Sequence, residues 1–93
     1  MRTIERSSVF KRDYRREAKG RHRVTLDDEL MSVLTALAND KPLEMRHRDH
    51  DLSGDWAGYR ECHIKPDLLL IYRKPSAGIL RLARLGSHSE LFG

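Results

Sequence analysis

The chain has a single cysteine, Cys62, among 93 residues. An internal disulfide is therefore excluded, which fits a reducing compartment. No apolar run approaches the ~20 residues that span a bilayer, so no membrane partner is expected. The basic N-terminal stretch lacks the apolar segment that would follow it in a secretory signal, and the expected location is the cytoplasm. Repeats, low-complexity tracts and linker-like stretches are also missing. Residues 1–93 read as one domain with one small core.

What is present is charge. Charged residues make up 34% and hydrophobic residues 39%, enough for a core beneath a densely charged surface. The net charge of +4 is unevenly spread. Residues 1–24 hold nine Lys/Arg against three Asp/Glu, residues 25–59 three against eight, and residues 60–93 six against three. Basic segments flanking an acidic one suit a polyanion on one face, and equally a solvated mixed surface.

RTIERS (2–7) suits a short strand. In SSVFKRDYRREAKG, Ser7 or Ser8 caps a helix and Gly20 follows its end. Val9, Phe10, Tyr14 and Ala18 form its narrow apolar stripe, and Lys11, Arg12, Arg15, Arg16 and Lys19 cover the rest. TLDDELMSVLTALAND predicts a second helix, capped by Thr25 and stopped at Lys41-Pro42. The two helices are expected to form a hairpin. Beyond residue 45 the period changes. GYRECHI, LLLIYR and ILRLARL read as three strands separated by the turns KPD and KPSAG. LLLIY is apolar on both faces, which places it in the sheet centre, beneath the helix pair. The expected fold class is α+β, order βααβββ, with about four mostly antiparallel strands and an extra short strand near residues 49–53.

Period two along GYRECHI puts Tyr59, Glu61 and His63 on one face. If the sheet forms, His50, His63, His88, Glu61 and Asp67 can converge from separate parts of the chain. A surface His is most often only that, Trp56 and Tyr59 serve equally as packing residues, and Glu61 can simply pair with Arg60 or Arg73. Arg81 and Arg84 have opposite parity, so only a bulge or the strand end would turn both to one site. His47 and His50 have HxxH spacing with Asp49 and Asp51 nearby, but a loop HxxH without Cys partners is a poor metal site, and no metal or other cofactor is expected. Metal-free RNA cleavage uses the set better. It needs a base for the ribose 2′-OH, an acid for the leaving 5′-oxygen and a cation for the phosphorane. Imidazole, with a pKa about 6.5, serves as acid or base. Phe92 gives a base something to stack on, or anchors the chain end.

The stretch DHDLSGDWAGYRECHIKPDLLLIYRK, followed by RLARLGSHSELFG, resembles the YafQ branch of the RelE/ParE toxin superfamily. The resemblance is close over residues 49–93 and looser over the βαα start. It implies a ribosome-dependent endoribonuclease of a type II toxin–antitoxin module, cutting messenger RNA in the A site without a metal. It also implies His50, His63, Asp67 and His88 as catalytic, with Phe92 in support. Glu61 stands where relatives have Asp. On this reading His88, on a mobile tail hinged at Gly86, is the general acid. His50 or Asp67 is the base, and His63 and Arg84 stabilise charge. Arg84 and Arg60 are phosphate contacts, and Arg12, Arg15, Arg16, Lys19, Arg21 and Arg23 hold ribosomal RNA. The implied partners are the ribosome with its messenger RNA and a small antitoxin with an acidic segment; operator DNA is reached only through that complex. The alternatives are a ParE-like gyrase inhibitor, a plain nucleic-acid or partner-binding module, and an inactive relative.

Overall fold

A computed structural model describes residues 1–93. Strand β1 (Thr3–Arg6) leads into helix α1 (Ser8–Glu17) and helix α2 (Leu26–Ala38). The two-residue strand β2 (His50–Asp51) precedes β3 (Arg60–Lys65), β4 (Leu68–Ser76), β5 (Ile79–Gly86) and a short helix, α3 (His88–Phe92). The sheet has five strands in the order β1-β5-β4-β3-β2, with only β1 parallel to its neighbour. The fifth strand beyond the expected four is β2, at the place anticipated for a short extra strand. No helix is long and apolar enough to cross a membrane.

Ser7 caps α1 by accepting from the Phe10 amide. Thr25, expected to cap α2, makes no such bond: its ψ of −1° is already helical, whereas a capping side chain needs extended backbone. Asp27, Asp28 and Glu29 fill that helix's positive first turn instead. Lys41-Pro42 follows Ala38 closely, as expected of a stop.

α1 and α2 cover one face of the sheet. Phe10 and the α2 row Leu26, Leu30, Val33, Leu34 and Leu37 pack on Cys62, Ile64, Leu68, Leu70, Tyr72, Leu80, Leu82 and Leu85. The expectation that the helix pair alone covers LLLIY is corrected by the pleat, which sends alternate side chains to opposite faces. Leu68, Leu70 and Tyr72 face the helices, while Leu69 and Ile71 meet Leu91 of α3, with Leu52, Trp56, Tyr59 and Ala83 around them. That second face has no long helix over it. β4 is central, as its two-sided apolar pattern requires.

Candidate active site

The side chains on the second face are set by register. His50 lies opposite Glu61 across β2 and β3, so the two share a face with His63, two residues on. On β5 the pairing shifts: Leu82 is opposite Tyr72, but Arg84 is opposite Ile71. Ala83 is thus the extra residue of a bulge. It returns Arg84 to the face of Arg81, which lies opposite Arg73. The bulge removes the parity conflict, yet Arg81 pairs with Glu5 of β1 and Arg84 with Asp13 of α1.

His63, Asp67 and His88 line one open cleft of about 440 Å³, floored by Leu69 and closed by Pro66, Ser87 and Ser89. The His63 ring has an acceptor at each nitrogen. Nδ1 donates to the Pro66 carbonyl at 3.3 Å, and Nε2 faces Glu61 Oε1 at 3.4 Å. Glu61 is itself buried.

The His50 ring is exposed, and its Nδ1 donates to the Arg48 carbonyl at 2.6 Å. A carbonyl only accepts, so Nδ1 carries the hydrogen and the Nε2 lone pair faces outward. Arg48 is held in the left-handed region at φ 47°, the sort of backbone strain found at functional loops. Arg60 clamps this loop, reaching Asp51 at 2.6 Å, Asp49 at 3.2 Å and the Tyr72 hydroxyl at 3.3 Å. Its pKa is pushed up, chiefly by the Asp49 hydrogen bond. His47 points inward, its Nδ1 donating to the His63 carbonyl at 2.6 Å. The HxxH pair therefore diverges, one ring bound to His63 and the other to Arg48.

The tail is not free, which corrects the mobile-tail expectation. Ser87 and Glu90 form a reciprocal capping box that winds residues 88–92 into α3. Leu91 is buried beneath it. His88, the first helical residue, lies against Phe92 one turn later, with ring centroids 4.9 Å apart and the planes tilted by 44°. Gly86 is a point of close approach rather than a hinge: a Cβ there would lie 2.7 Å from Arg16 Nη2 and 3.1 Å from Glu90 Oε1.

Behind this helix lies a carboxylate that the sequence pattern hides. Asp13 is 1% exposed. It accepts from Arg84 at 2.7 Å, from the Leu85 amide at 3.0 Å and from Arg16 at 3.1 Å. Burial pushes the Asp13 carboxyl up, but these hydrogen bonds and the Arg84 and Arg16 charges outweigh it and hold it below the usual carboxylate value. Arg16 also donates to the Leu85 carbonyl and pairs with Glu90 at 3.1 Å, joining α1 to α3. The Ser87 amide leads the causes that hold Glu90 low. Arg84, Arg16 and Arg60 are therefore engaged with carboxylates of the chain itself, whereas the exposed Arg12, Arg15 and Lys19 have no acidic partner. The one signal for Asp13 was its position, three residues after Phe10 on the buried stripe of α1. Asp67, in the β3–β4 turn, is paired with Arg21 and His22. His22 was not singled out from the sequence.

Another groove, about 670 Å³, lies between α1 and α2 and holds no histidine. His63, Asp67 and His88 gather in the smaller cleft, which His50 does not line.

This α+β fold, with its cluster of histidines beside a short closing helix, is that of a bacterial toxin from a type II toxin–antitoxin system; the matching family model, "Bacterial toxin of type II toxin-antitoxin system, YafQ", covers residues 2–93. The chain belongs to the YafQ family, within the RelE-like toxins. It is 40% identical to the mRNA interferase toxin YafQ of Escherichia coli K12 over 93 residues, spanning 99% of this chain and 97% of that one. A copper-bound mutant toxin from Helicobacter pylori superposes with a TM-score of 0.86 at 36% identity, covering 99% of this chain and 100% of the other. The toxin in an E. coli DinJ-YafQ complex superposes with a TM-score of 0.81 at 34% identity, with full coverage of both chains.

Proposed function

We propose that this endoribonuclease cuts messenger RNA in the ribosomal A site, without a metal, and so halts translation. The ribose 2′-oxygen bonds to the adjacent phosphorus and its proton passes to a base. The phosphorus–O5′ bond breaks and an acid protonates the leaving oxygen. The products are a 2′,3′-cyclic phosphate and a 5′-hydroxyl.

The observation that carries this reading is the gathering of His63, Asp67 and His88 in one cleft, with Phe92 against His88. His88 is the acid, held on α3 by the capping box. His50 is the base, and its outward Nε2 supports that role. His63, set between Glu61 and Pro66, stabilises the phosphorane. Arg84 adds positive charge while braced by Asp13. Arg12, Arg15 and Lys19 contact ribosomal RNA through phosphates. The chain acts in the cytoplasm, where the ribosomes are. A small antitoxin with an acidic segment covers its basic surface, and operator DNA is met only through that complex. The DinJ-YafQ complex supports such a partner.

Mapping the ends of a translated messenger, with and without ribosomes, tests the proposal. Codon-phased cuts that need ribosomes, carry 5′-hydroxyl ends and persist with a transition-metal chelator are expected. Folded protein that makes no cuts, but inhibits gyrase, moves the assignment to a ParE-like toxin. Cuts with 5′-phosphate ends overturn the 2′-hydroxyl mechanism.

A further inference from the structure

A second polar cleft, about 470 Å³, opens on the other side of Asp67. It shares Asp67, Ser87 and Ser89 with the cleft of His63 and His88, so the two form one trough with Asp67 in its wall. Its far side is built by the α1–α2 connection, which supplies Arg21 and His22.

Asp67 sits in the turn after Pro66, where nothing local fixes its rotamer. Its two oxygens each have one neighbour. Oδ2 lies 3.2 Å from an Arg21 guanidinium that is 80% exposed, a solvated and mobile contact of small worth. Oδ1 lies 3.0 Å from His22 Nε2, and this ring is 14% exposed. The backbone beneath it is fixed, because the His22 carbonyl accepts from the amides of Thr25 and Leu26 at the start of α2. The His22 nitrogen is buried and lies off the line of a formed hydrogen bond, so it is left without a partner. Buried polar atoms rarely stay so, and Asp67 Oδ1 at 3.0 Å is the acceptor within reach. The other charged groups of this cleft are matched among themselves, since Arg16 is shared by Glu17 and Glu90 there and by Asp13 behind. Asp67 is the carboxylate left for His22.

We infer that His22 is a positioning residue of the cleavage site, fixing the Asp67 carboxylate toward the cleft of His63 and His88. This rests on the reading of that cleft as the cleavage site. His22 does not line the cleft itself, so it acts through Asp67.

The test is a double-mutant cycle on ribosomes programmed with one messenger, using His22→Ala, Asp67→Asn and both together. His22→Ala is expected to lower kcat about tenfold with KM unchanged, the scale of a misplaced group near the chemistry. The double variant is expected to be no slower than Asp67→Asn alone. His22→Gln, whose amide puts a donor where Nε2 stood, retains most activity, and it carries the test if the alanine variant does not fold. Independently of activity, the His22 ring nitrogen resonances of the native chain are expected to shift on Asp67→Asn. Losses that multiply, or ring resonances indifferent to Asp67→Asn, overturn the inference. A native chain that makes no codon-phased cuts overturns the cleavage reading instead, while the ring resonances still report whether His22 holds Asp67.

Discussion

Asp13 shows how one side chain serves both stability and site. Its carboxylate is buried and binds two arginines and a β5 amide, so truncation leaves Arg84 and Arg16 without their shared partner. Asp13→Ala is expected to cost about 3 kcal/mol in denaturant unfolding, the range for breaking a buried pair. Loss below 1 kcal/mol would show that solvent takes over the arginines. Because its folded pKa lies below the unfolded value near 3.8, the stabilisation is complete above that pH. It is lost as the pH falls through the lowered folded value. Acid unfolding monitored by circular dichroism should therefore begin at higher pH in Asp13→Asn. Cys62 gives a second check at this scale. It is fully buried and desolvation pushes its thiol up, so thiol reagents should label the chain only after unfolding. His50, His63, His88 and Asp67 stand out in the sequence through their motifs, and the fold brings His63, Asp67 and His88 to one cleft. Asp13 does not stand out, since a carboxylate among the arginines of α1 reads as surface. His22 was missed because only the folded chain turns the α1–α2 connection toward the β3–β4 turn.

Among the elements, α3 decides where His88 sits. The capping box, buried Leu91 and the Arg16–Glu90 pair hold it on β5, and Gly86 permits the close approach. Gly86→Ala would set a Cβ 3.3 Å from Leu91 Cδ2 and closer still to Arg16 and Glu90. A shift of α3 is expected, lowering cleavage at least about tenfold, with a stability cost of only about 1–2 kcal/mol. Equal activity in the variant would mean that His88 needs no fixed helix. The last residues suggested a mobile tail to sequence reading because five residues are too few for a helix by propensity. The local capping chemistry and one buried leucine override that. The strands were readable from period two and their turn residues. The bulge at Ala83 was not, because parity alone does not say where register slips.

At the scale of the molecule, charge is divided. Arg12, Arg15 and Lys19 stand on α1 without acidic partners, while the arginines nearest the cleft are braced by carboxylates. Ribosome binding is expected to weaken as salt rises, and replacing the three α1 cations by alanine should flatten the log–log slope by about 2. An unchanged slope would show that α1 does not meet ribosomal RNA.

The most direct test of the central claim is single-turnover cleavage of messenger in programmed ribosomes by the native chain and by His88→Ala. A fall of about 10²–10⁴ in rate with ribosome binding intact is expected of a lost general acid. Cleavage within twofold of the native chain would contradict the account.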